Sequence, residues 1–179
     1  SALAMEHIET ALSLDPKSSL IKALYGVDLL FIHKYDDAVE AFQDALSLNP
    51  SQGVAGNIGR SLYYAGREEE AFNTMVKFNK NPGAIKAIEE GYAEGGIPGA
   101  NKKLADLFAE RSKTVTVSAW QIATLYSIAG DTDNAIIWLE KAIEERDPNS
   151  PYVLLPFYDS LRTDPRFQEL CSTMKLPYK

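Results

Sequence analysis

The sequence predicts an all-α chain arranged as an α-solenoid of helical hairpins, and three observations predict it. Apolar triplets spaced four and then three residues apart recur along its length: Ala4-Ile8-Ala11, Ala38-Phe42-Ala45, Ala71-Met75-Phe78, Ala100-Leu104-Leu107 and Ala135-Leu139-Ala142. Such spacing puts each triplet on one face of a helix. The first two triplets, with the prolines that follow them at 16 and 50, are offset by 34 positions. A small residue stands 12 positions before three of the opening alanines: Gly26 before Ala38, Gly59 before Ala71, and Ala123 before Ala135. Two small side chains at matched heights let antiparallel helices approach closely.

Taken in order, residues 1–16 read as the second helix of an incomplete repeat, closed by Asp15-Pro16. Proline cannot continue a helix and disfavours helical geometry in the residue before it. One side of that helix is left bare. This predicts that the chain is a fragment of a longer protein and that the bare edge supports a homodimer. Hairpins follow at 17–50, 51–81, 82–113 and 114–147. Gly66, Gly95 and Gly130 each sit five residues before an opening alanine, where a helix ends in a left-handed residue that glycine adopts at least cost. His33 takes that place in the first hairpin. The 82–113 hairpin departs from the pattern. It has Ile88 where a small residue is expected, Pro98-Gly99 just before Ala100, and only 29 positions between Ala71 and Ala100, which predicts a kink. Residues 148–179 read as a C-terminal cap. In it Thr163-Asp164-Pro165 starts a helix, and Phe167, Leu170, Cys171 and Met174 form its apolar face.

The pattern resembles the tetratricopeptide repeat, a helix–turn–helix with a small residue in the first helix, a Gly-type turn, an alanine opening the second helix and a closing proline. It is carried by Gly26, Ala38, Phe42, Ala45 and Pro50, by Gly59, Gly66 and Ala71, and by Ile122, Ala123, Tyr126, Gly130, Ala135, Leu139 and Ala142. The resemblance runs from about residue 2 to 147 and implies a right-handed superhelix in one solenoid domain, 1–179. The stretch Leu161 to Phe167 and the ending Met174-Lys-Leu-Pro177 resemble the repeat-containing tail of bacterial multidomain regulators. That likeness implies an effector domain upstream, with this chain as its regulatory, sensory or oligomerisation arm.

The residues speak against catalysis. Acid–base and nucleophilic chemistry needs converging groups with tuned pKa values. The two histidines, His7 and His33, fall in different units, and one cysteine permits neither a CxxC site nor an internal disulfide. No HExxH and no phosphate-binding glycine loop occurs. No cofactor and no metal is therefore expected. The 18 basic residues are scattered and the net charge is −7, which argues against nucleic acid. No apolar run approaches the ~20 residues needed to span a membrane, so no membrane insertion is expected. The lone cysteine and the lack of a leader pattern fit a cytoplasmic location.

What remains is a partner that is itself a protein or peptide. In a stack of hairpins the first helices line the concave face. Helical spacing places Leu20, Ala23, Val27, Leu30 and Phe31 there in the first hairpin, and Asn57, Arg60, Tyr63 and Tyr64 in the second. The third contributes Ile85, Glu89 and Tyr92, and the fourth Trp120, Gln121 and Thr124. Aromatic rings bury area with little entropy lost, and amides and guanidinium groups satisfy a peptide backbone. Co-chaperones of the family grip a C-terminal carboxylate with a lysine/asparagine clamp. Here the first hairpin offers Ala23 and Val27 at that wall and the second offers Asn57 and Arg60, so the clamp is incomplete. Asn57 and Arg60 still suit an acidic side chain or terminus.

Overall fold

The structure, a computed structural model, describes residues 2–176; Ser1 and the tail motif's Pro177 lie outside the described residues. It is all-helical, and within each of its two units consecutive helices pack on one another, as in a helical repeat. The chain divides into two compact units between Asn81 and Pro82.

The first unit contains α1 (Ala2–Leu14), α2 (Ser19–Phe31), α3 (Tyr35–Leu48), α4 (Gln52–Tyr64) and α5 (Glu68–Phe78). α2 starts where the Ser18 hydroxyl accepts the Ile21 amide. α3 and α5 begin with acidic first turns, Asp36-Asp37 and Glu68-Glu69-Glu70, which suit the positive end of the helix dipole. The triplet Ala38, Phe42 and Ala45 is fully buried. Gly26 explains why its hairpin needs a small residue: a β-carbon there would fall 2.7 Å from the Phe42 ring. Both hairpin turns end in a left-handed residue, His33 at φ 59 and Gly66 at φ 78. In each, the next amide reaches back to the preceding helix, Lys34 to Leu29 and Arg67 to Leu62.

The second unit contains α6 (Pro82–Arg111), α7 (Ala119–Ile128), α8 (Thr132–Glu144), two short 3₁₀ helices (Ser150–Leu154 and Pro156–Leu161) and α9 (Pro165–Thr173). Both tryptophans lie here, Trp120 on α7 and Trp138 on α8. α6 is two antiparallel arms joined at a sharp reversal, with non-helical backbone at Gly95 and Gly96. The reversal corrects the predicted turn by one residue. Gly95 is extended at φ −162, whereas Gly96, at φ 61 and ψ −150, holds the conformation only glycine takes readily. The close approach of the arms is also displaced from the predicted level. It falls at Gly91, where a β-carbon would lie 2.3 Å from the Gly99 carbonyl oxygen, and Ile88 is simply buried. Across the reversal Lys103 pairs with Glu94 at 2.9 Å.

α7 and α8 are capped by Ser118 and Asp131, and α9 by Asp164 with Pro165 in its first turn. Asp147, just beyond α8, ties that helix back to the start of α7. Its carboxylate accepts the Ser118 hydroxyl at 2.6 Å and the Asn149 amide at 2.9 Å, and a further bond comes from the Trp120 amide. Burial opposes ionisation, but these hydrogen bonds outweigh it and hold the carboxyl below the ordinary aspartate value. Cys171 is a buried free thiol on the apolar face of α9, and burial raises its pKa.

Candidate inner faces of the two units

In the first unit α2 and α4 both pack on α3. Their turn ends are joined by aromatic side chains. The Tyr35 ring lies 5.7 Å from that of Tyr64, Tyr64 lies 5.3 Å from Tyr63, and the Tyr35 hydroxyl is 2.7 Å from His33 Nδ1. Arg67 adds a polar tie between hairpins, with bonds to Glu70 and to Asp36 at 3.1 Å.

The predicted face of α2 is accessible, with one exception. Leu20 is 67% exposed and Ala23, Val27 and Phe31 are half-buried. Leu30 is wholly buried and has no surface to offer a partner. The physical reason is angular: the step from Val27 to Leu30 turns toward α3, and the step of four to Phe31 stays on the open side. Leu24, 38% exposed, belongs to the same stripe and was not among the predicted residues. Its place four residues after Leu20 and three before Val27 was the available signal. Leu20, Leu24, Val27 and Phe31 thus form one apolar stripe along α2.

On α4 the four predicted residues are all half-buried. Arg60 Nη1 donates to Asn57 Oδ1 at 2.9 Å. Its guanidinium lies over Gly56, where a β-carbon would meet Nη1 at 3.4 Å. Burial, then the Glu68 carboxylate, raises the pKa of the Tyr63 phenol. Arg60 is the only charged residue of α4, and α2 has only Lys22 and Asp28. Lys22 is bound to Asp44 at 2.6 Å. Asp28 is half-buried, and desolvation pushes its carboxyl above the ordinary aspartate range. Helices α3 and α5 carry Asp36, Asp37, Glu40, Asp44, Glu68, Glu69, Glu70 and Lys77, and four of these acids are ion-paired: Asp36 and Glu70 with Arg67, Asp37 with Lys34, and Asp44 with Lys22.

In the second unit the first arm of α6 carries Glu89, exposed, and Tyr92, half-buried. The inner face of α7 is covered by the chain itself. Thr124 is fully buried, which corrects its reading as a partner-facing residue. Its hydroxyl lies 2.6 Å from that of Tyr158. Ser127 donates to the Phe157 carbonyl at 2.6 Å, and the Trp120 ring sits 6.3 Å from Tyr158. Tyr158, Phe157 and Leu161, all from the second 3₁₀ helix, are themselves at most 1% exposed, so this cover is part of the core. Trp120 is half-buried, and its indole Nε1 is buried with no hydrogen-bond partner. Gln121 is exposed. The 3₁₀ segments carry no helical period; their only local cue is two prolines, Pro151 and Pro156, five residues apart.

Among the described residues no group of three or more His, Cys, Asp or Glu could hold a metal ion, and no helix is long and apolar enough to cross a membrane. No curated protein matches the chain. Residues 118–149 match the family model of the tetratricopeptide repeat, a span that takes in α7, α8 and the turn between them. The hairpin of α7 and α8 is therefore similar to a tetratricopeptide repeat.

Proposed function

We propose that the protein is an interaction module that takes a peptide or helix of a partner protein against the inner face of its first unit, between α2 and α4. Tetratricopeptide repeats in general mediate protein–protein contacts, and the hairpin of α7 and α8 is similar to one. The observation that carries the more specific reading is the α2 stripe. Leu20, Leu24, Val27 and Phe31 lie on one side of one helix and all keep accessible surface. Scattered exposed apolar residues are ordinary, but an aligned run of four favours a contact surface. The half-buried Tyr63 and Tyr64 on α4 extend it with residues suited to interfaces. The covered face of α7 argues for the first unit as the place of contact.

The test is affinity selection with the whole chain as bait and a phage-displayed peptide library as prey, repeated with Val27→Asp and Tyr63→Ala. The expected result is a set of enriched peptides whose binding both substitutions weaken while circular dichroism and thermal midpoint stay near those of the parent. Peptides that bind equally well to both variants would place the contact elsewhere and overturn the reading.

A further inference from the structure

We draw no further inference here: the strongest candidate, the apolar side of α1 on which Met5, Ile8 and Leu12 stay half-buried and Leu3 and Leu14 exposed, carries nothing because nothing in the structure shows what covers it.

Discussion

The hydroxyl of Thr124 lies 2.6 Å from that of Tyr158, 34 positions further along the chain, and neither side chain has any exposed surface. The Thr124 hydroxyl also donates to the Trp120 carbonyl at 2.9 Å, so Tyr158 is the donor in the pair. This contact fastens the segment after the repeat onto α7. Tyr158→Phe keeps the ring and loses one hydrogen bond, an expected cost of ~1 kcal/mol. Tyr158→Ala also leaves a cavity, and ~3–5 kcal/mol is expected. Urea unfolding of the two variants measures the difference.

Two glycines give opposite outcomes on substitution by alanine. At Gly91 a β-carbon would meet the backbone of the opposite arm, 2.3 Å from the Gly99 oxygen, and backbone cannot step aside. Gly91→Ala should cost about 3 kcal/mol or more, at the upper end of overpacking effects. At Gly59 the nearest atom would be Met75 Cγ at 3.7 Å, an ordinary contact. Gly59→Ala should be neutral, or stabilising by up to ~1 kcal/mol through helix propensity. Thermal midpoints of the pair provide the check.

Asp147 links the end of the repeat to its start through Ser118, Asn149 and Trp120. Its pKa is lowered by folding, so its stabilising contribution is complete above the unfolded-state value and is lost as pH falls through the folded-state value. Asp147→Ala should destabilise the protein by ~1–3 kcal/mol at neutral pH, the range for charge-assisted bonds. The gap from the parent should narrow below about pH 4. Denaturation curves across that range read it directly.

Asp28 has the opposite sign. Desolvation raises its folded-state pKa, so the ionised carboxylate costs stability above that value and the cost disappears as pH falls and the group protonates. Asp28→Asn should therefore raise the thermal midpoint at neutral pH by about a degree or two, the scale of a few tenths of a kcal/mol. The gain should vanish in acid. A midpoint lowered at neutral pH would show that the carboxylate is held by bonds rather than penalised by burial.

Much of the helical architecture was legible because it rests on local chemistry. The left-handed turn residues His33, Gly66 and Gly130, at φ 59, 78 and 76, stand where the spacing put them. The small Gly26 faces the Phe42 ring, as close helix approach demands. Periodicity failed where the repeat changes length. In the shortened hairpin the helices meet at Gly91 and reverse at Gly96, because deleted residues move the level of contact while the counting frame stays fixed. The inner-face residues were legible as helical positions, but their exposure was not. Leu30 turned inward by a fraction of a helical step. Thr124 was hidden by a segment whose prolines leave no period to read.

Trp120 and Trp138 both belong to the second unit, and the first has only tyrosines and phenylalanines. Selectively excited indole emission is therefore a private reporter of residues 82–176, silent about α1 to α5. Far-ultraviolet circular dichroism sums over both halves. A melt in which the two signals part company would show the halves losing structure independently, and coincident traces would show one cooperative transition.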